Sequence, residues 1–134
     1  MKHILIIDDE ASVREVLGRA LTRHTYRVTE AGNADEARRA VLQQRPDLVI
    51  TDLQMEDTDG LELVRELKTL APGVPVLLLT GVIFDPDVVE KTIRHRVEGY
   101  LEKTVSLHRI LEEVHRLLNL PPADLIPPES TPPR

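Results

Sequence analysis

Three consecutive carboxylates, Asp8-Asp9-Glu10, follow a short aliphatic run near the start of the chain. Asp52 closes the run Leu48–Thr51, Thr80 closes Val76–Leu79, and Lys103 comes just after Gly99–Leu101. Carboxylates gathered at one place repel: two unit charges ~4 Å apart cost about 4 kcal/mol at an effective dielectric of ~20. Such a cluster persists when a cation neutralises it. Oxygen donors with no His or Cys among them suit a hard cation, Mg²⁺ above all, which takes one or two carboxylates together with waters and phosphate oxygens. A carboxylate in that setting can act as a nucleophile and form an aspartyl phosphate. The ammonium of Lys103 can pair with a carboxylate first and a phosphoryl oxygen later, and the Thr80 hydroxyl can donate to a second phosphoryl oxygen. Taken singly, each residue has an ordinary explanation. Asp52 would be a solvated turn residue, Asp9 or Glu10 a helix cap, Thr80 a turn residue and Lys103 a surface lysine. Their joint placement at the ends of successive apolar runs carries the chemical reading.

The elements that must position them alternate. Short β-branched and aliphatic runs at His3–Ile7, Tyr26–Thr29, Leu48–Thr51, Val76–Leu79 and Gly99–Leu101 predict strands. Between them lie segments with helical spacing. Examples are Val13, Val16, Leu17, Ala20 and Leu21 in the first, and Ile110, Leu111, Val114, Leu117 and Leu118 in the last. Ala34, Ala37 and Val41 mark a second helix, Leu63, Val64, Leu67 and Leu70 a third, and Val88, Val89, Thr92 and Ile93 a fourth. Asn33 with Glu36 predicts a capping box, and Asp85-Pro86 an N-cap followed by proline at N1. The pattern is (βα)₅, an α/β fold with a parallel sheet covered on both faces by right-handed crossovers. In such sheets ligands sit beyond the carboxyl ends of the strands, near the point where strand order reverses. That is where these six residues collect.

The 134 residues fit one domain, with 41% apolar and 30% charged residues. One Phe, two Tyr and no Trp leave the core to Val, Leu and Ile. With no Cys, disulfides and thiolate metal sites are excluded. A net charge of −6 without a basic stripe argues against direct nucleic-acid binding. No apolar run reaches the ~20 residues of a membrane helix, and the N-terminus lacks a signal-peptide pattern. These features predict a soluble cytoplasmic protein. The five His residues show no metal spacing and read as surface or helix-edge positions. The last fourteen residues, from Pro121 on, contain six Pro. The expected division is a domain over residues 1–119 and a proline-rich disordered tail or linker over 120–134.

These residues resemble the response-regulator receiver domains of bacterial two-component signalling, the CheY-like family. The likeness rests on Leu5-Ile6-Ile7-Asp8-Asp9-Glu10, Leu48–Met55, Asp59-Gly60-Leu61-Glu62-Leu63, Leu79-Thr80-Gly81 and Gly99-Tyr100-Leu101-Glu102-Lys103, and it runs from about Met1 to Asn119. It implies a doubly wound, flavodoxin-like five-stranded sheet of order 2-1-3-4-5. Asp52 is then the phospho-acceptor. Asp9, Asp52 and the backbone carbonyl of Gln54 hold Mg²⁺, and Asp8 acts mainly through a water. Thr80 and Lys103 hold phosphoryl oxygens, and Tyr100 occupies the place of the rotameric switch aromatic. The implied partners are a sensor histidine kinase or phosphotransfer protein and a downstream protein or output domain. A homodimer through the face made by the fourth helix, fifth strand and fifth helix is a further expectation. On that face lie Val88, Tyr100, Val105 and His108.

The chain departs from the family pattern in several places. Thr104 replaces the usual Pro after the lysine, so a trans bond is expected. Glu56-Asp57 stand where Pro-Gly is common, Arg96 stands where Gly is common, and the stretch from Thr80 to Tyr100 is one residue longer. The apolar loop Val82-Ile83-Phe84 is expected to cover Thr80, and Val82, which cannot position a hydrolytic water, predicts slow loss of the phosphoryl group. Two other function classes compete. One is a receiver-like interaction module that signals without phosphate. The other is a phosphatase with an aspartyl-phosphate intermediate, which requires an acid two residues after the nucleophile, where this chain has Gln54.

Overall fold

A computed structural model of the chain describes residues 1–55, 58–81, 84–121 and 124–126. Five parallel strands form the central sheet: β1 (His3–Ile7), β2 (Arg27–Ala31), β3 (Leu48–Thr51), β4 (Val76–Thr80) and β5 (Gly99–Glu102). Their order is β2-β1-β3-β4-β5, the 2-1-3-4-5 arrangement implied by the resemblance. Five helices join them: α1 (Ala11–Arg23), α2 (Ala34–Gln43), α3 (Gly60–Leu70), α4 (Pro86–Lys91) and α5 (Leu107–Leu118).

Strand alternation splits the core in two. Leu5, Ile7, Val49 and Leu78 point to the side of α2, α3 and α4, where Val41, Leu63, Val64, Leu67 and Val89 meet them. Ile4, Ile6, Ile50, Leu77 and Leu79 point the other way, onto Leu17 and Leu21 of α1 and Ile110, Val114 and Leu117 of α5. A strand buried on both faces needs apolar residues at every position, which is why β1, β3 and β4 read as continuous runs. The register then fixes the strand ends: Ile7 lies opposite Ala31 and Thr51, and Thr80 opposite Glu102.

The caps follow the residue chemistry. Asn33 accepts from the Glu36 N–H at 2.9 Å, while the Glu36 carboxylate turns back to the Gly32 N–H at 2.7 Å. Asp85 caps α4 by accepting from Asp87 N–H at 2.8 Å. Asp59 accepts from Leu61 and Glu62 at the start of α3.

Several elements differ from the expectation. The run Tyr26–Thr29 predicts a strand that in fact begins at Arg27 and extends to Ala31. The Tyr26 N–H is still engaged by the Leu21 carbonyl at 3.2 Å, and Thr25 N–H by Thr22 at 3.1 Å. With Thr25 at φ 67°, this is a Schellman closure of α1 that holds a threonine where glycine is usual. The fourth helix is short: α4 ends at Lys91 and gives way to a 3₁₀ turn over Ile93–His95. Its β-branched Val88, Val89, Thr92 and Ile93 are poor propagators of an α-helix. Two-residue strands at Gln54–Met55 and Thr58–Asp59 pair antiparallel below the third strand's end, a detail no periodicity announces.

One histidine expectation is overturned. His3 is buried in β1, its Nε2 2.7 Å from the Thr29 hydroxyl of β2 and its Nδ1 without a hydrogen-bond partner. A histidine that opens a strand between two neighbours is enclosed by them whatever its polarity. His24, His95, His108 and His115 are exposed, as expected.

Beyond α5, Leu120 packs on the core of the α1–α5 side. Residues 124–126 lie back against the domain, with the Ile126 N–H donating to Glu98 at 2.7 Å. None of the helices among the described residues is long and apolar enough to cross a membrane.

Candidate functional site

The carboxyl ends of β1, β3, β4 and β5 converge on one rim. Strand order reverses between β1 and β3, and Asp8 and Asp52 stand on the two sides of that switch point. Each is anchored by the sheet just before it: Asp8 N–H donates to Ala31 at 3.1 Å, and Asp52 N–H to Ile7 at 3.2 Å. Both side chains are almost completely buried. Asp8 is 3% and Asp52 5% exposed.

Lys103 binds the two together. Its Nζ donates to Asp52 Oδ2 at 2.7 Å, contacts Asp8 Oδ2 at 2.8 Å and lies 3.4 Å from Glu10 Oε1. The Lys103 backbone is itself fixed, its N–H donating to the Thr80 carbonyl at 2.8 Å. The second oxygens are committed as well: Asp8 Oδ1 accepts from Glu10 N–H at 2.9 Å and Asp52 Oδ1 from Gln54 N–H at 3.0 Å. Asp52 thus has one oxygen steadied by the following turn and the other facing an ammonium.

The electrostatics reflect this crowding. Burial raises the pKa of Asp8 from its ordinary value, although the Lys103 hydrogen bond and the Glu10 N–H pull the other way. Burial alone would lower the pKa of Lys103, but its hydrogen bonds to Asp52 and Asp8 overcome that and hold it well above an ordinary lysine. Lys103 is therefore a permanent cation in the physiological range.

Asp8, Asp9 and Glu10 can each offer one carboxylate oxygen to a single point, those oxygens lying within 4.8 Å of one another. Asp8 is buried, and Asp9 and Glu10 are exposed. The donor set is all oxygen, its net charge is negative even with Lys103 counted, and burial disfavours the Asp8 charge despite its two partners. These properties fit a hard divalent cation such as Mg²⁺.

Thr80 is fully buried at the end of β4. Tyr100, on β5, is half-buried and packs with Phe84 on the α2–α3–α4 core. Burial, with the Glu102 charge second, raises its pKa above the usual tyrosine value. Phe84, the last residue of the apolar loop, is thus partly covered by the core. Val82, Ile83, Glu56 and Asp57, on which three of the sequence departures rest, lie outside the described residues. The bond between Lys103 and Thr104 is trans, as expected for a non-proline residue.

All of the expected site residues other than Tyr100 are at this rim: Asp8, Asp9, Asp52, Gln54, Thr80 and Lys103. Arg14 is an addition. From one turn into α1 it donates to the Asp8 backbone carbonyl at 2.6 Å and ion-pairs with Glu30 of β2 at 3.5 Å. It ties the β1–α1 turn to the neighbouring strand. An arginine on a helix flank, four residues after Glu10, gives no such signal in the sequence.

The fold and this rim define a receiver domain. The sequence profile of the response regulator receiver domain matches residues 4–115, and the chain belongs to that family. Transcriptional regulatory protein GlrR of Escherichia coli K12 is 34% identical over 112 residues, which cover 84% of this chain and 25% of that protein. The probable transcriptional regulatory protein TcrX of Mycobacterium tuberculosis is 34% identical over 118 residues, 86% of this chain and 49% of its own. The chain spans between a quarter and a half of the length of these relatives. Among solved structures, chemotaxis protein CheY4 of Vibrio cholerae superposes with a TM-score of 0.79 at 25% identity, over 87% of this chain and 98% of that one. Response regulator TrrA of Thermotoga maritima, in complex with Mg²⁺-BeF, gives 0.77 at 29% identity, over 87% and 99%.

Proposed function

We propose that this receiver domain accepts a phosphoryl group on Asp52 from a phosphohistidine of a sensor kinase or phosphotransfer protein. The observation that carries the proposal is the placement of Asp52. It is a buried carboxylate with one oxygen held by the Gln54 N–H and the other against the Lys103 ammonium.

The chemistry follows from that placement. An Asp52 oxygen attacks phosphorus in line, the P–N bond to the donor imidazole breaks, and the freed imidazole leaves with a proton. Little covalent assistance is needed, so positioning and charge compensation dominate. Asp8, Asp9, Asp52 and the Gln54 carbonyl would hold Mg²⁺, which supplies positive charge to the transferring phosphoryl oxygens. Lys103 then exchanges a carboxylate partner for a phosphoryl oxygen, and Thr80 gains a phosphoryl acceptor for its hydroxyl. The new contacts draw Thr80 toward the phosphoryl group and favour the inward rotamer of Tyr100. The α4–β5–α5 face changes its population of states by the difference in contact energy alone.

That face is the proposed reader for a downstream protein, an output domain or a second copy of the chain. The TrrA complex with Mg²⁺-BeF supports the metal and phosphoryl reading by likeness. The regulators GlrR and TcrX extend well beyond the matched region, in keeping with an output segment attached to such a domain. A cytoplasmic location accords with the same reading. The phosphatase alternative lacks its acid, since Gln54 is an exposed amide whose N–H supports Asp52.

Incubation with Mg²⁺ and acetyl phosphate, followed by intact-mass measurement, tests the proposal. One phosphoryl group should add to the wild type and none to Asp52→Asn, and chelating the metal should stop the reaction. Equal adducts on both proteins would assign the acceptor elsewhere. Signalling retained by Asp52→Asn would favour the phosphate-independent module.

A further inference from the structure

At the end of the sheet opposite Asp52 lies an ion pair that the phosphoryl chemistry does not use. Lys68, in the last turn of α3, and Glu98, just before β5, meet at 2.6 Å with side chains 3% and 1% exposed. Glu98 Oε1 also accepts from the Val76 N–H at 2.8 Å, at the start of β4. Lys68 also donates to the Val74 carbonyl at 3.2 Å. The remaining partner of each ion comes from one residue. The Ile126 N–H donates to Glu98 Oε2 at 2.7 Å, and the Ile126 carbonyl accepts from Lys68 at 3.3 Å. Leu125, partly buried, forms one wall of a neighbouring cleft that Gly73, Pro75, Leu117, Leu118 and Leu120 also line, its Cδ1 3.9 Å from where a Cβ on Gly73 would lie.

A buried ion with a missing partner is costly, so this pair favours whatever completes it. We propose that the Lys68–Glu98 pair and the leucine cleft form a peptide-docking site whose occupant is the chain's own residues 124–126. The segment is a strap recognised through the peptide group of Ile126 and the side chain of Leu125. The proposal is independent of phosphorylation at Asp52.

Amide hydrogen exchange on the full chain, read by NMR, tests it. The Ile126 amide should exchange at least ~30-fold more slowly than in an unstructured peptide, the behaviour of a locally closed contact. In Leu125→Ser that protection should fall to within about 3-fold of the peptide rate while Leu77, Leu78 and Leu79 keep theirs. Glu98→Gln should release Ile126 in the same way. An Ile126 amide at the peptide rate in the wild type would overturn the proposal. So would protection that survives Leu125→Ser, a variant outside the ion pair and away from the sheet.

Discussion

Asp8 and Asp52 are brought together by strands that end side by side, and one lysine keeps them from repelling each other apart. The balance is uneven, because burial raises the pKa of Asp8 despite its contacts with Lys103. A carboxyl whose folded pKa is raised favours folding when protonated, and that contribution is lost as pH rises through the folded value. Asp8→Asn should therefore be more stable than the wild type at pH 7, on the order of 1 kcal/mol, the scale of a single buried-charge substitution. Its advantage should shrink as the pH is lowered through the raised Asp8 pKa. Urea unfolding of both proteins at pH 7 and at mildly acidic pH measures this. An advantage that widens on acidification would contradict the sign. The same variant should bind Mg²⁺ more weakly, so stability and site chemistry pull against each other at this residue.

At the scale of elements, two backbone positions carry specific demands. Thr25 closes α1 in the left-handed region at φ 67°, a conformation that costs an L-residue roughly 1–2 kcal/mol and glycine little. Thr25→Gly should raise stability, net of the added freedom of the unfolded chain, by about 0.5–1 kcal/mol. A fall in the urea midpoint would mean that the threonine side chain contributes more than the strain removes. Gly60 has the opposite character. A Cβ there would sit 2.4 Å from the Leu53 carbonyl oxygen, in the turn that follows Asp52. Gly60→Ala should cost about 1–3 kcal/mol as α3 or the turn shifts, again read from urea unfolding. Wild-type stability in that variant would show that the turn yields freely.

β1, β3 and β4 and the residues flanking them were legible because continuous apolar runs report burial on both faces directly. β2 and β5 followed from the βα alternation, and the strand order came only with the family resemblance. The short α4, the early Schellman turn before β2 and the two-residue ribbon were not legible, since each depends on a few backbone hydrogen bonds and not on period. Asp8, Asp52, Thr80 and Lys103 announced themselves by type at strand ends. Arg14 and Glu98 did not, because a charged residue that is buried by its neighbours looks in sequence like one that is solvated. His3 misled for the same reason: polarity was read as exposure although its place in β1 enclosed it.

For the molecule as a whole, the proposed signal must travel from the rim to the α4–β5–α5 face. Lys103 and Tyr100 are three positions apart on β5 and its exit, and Thr80 lies opposite Glu102 across the sheet. Beryllofluoride with Mg²⁺, the mimic found with TrrA, should shift the amide resonances of Thr80, Gly81 and Tyr100 and those along α4 and α5, leaving α2 nearly unchanged. Shifts spread evenly over both faces would argue against a localised switch. The strap at Ile126 lies at the far end of the same two strands and should not need phosphate to stay docked.

The central claim concerns one atom pair, the bond between an Asp52 oxygen and phosphorus. Borohydride reduction of the acetyl phosphate-treated domain, followed by peptide mapping, reads it directly, because reduction of an acyl phosphate leaves homoserine in place of the acceptor aspartate. Homoserine at position 52 alone, dependent on Mg²⁺, is the result predicted. Homoserine at position 8 or 9, or intact aspartate at all three positions in protein that has gained phosphoryl mass, would contradict it.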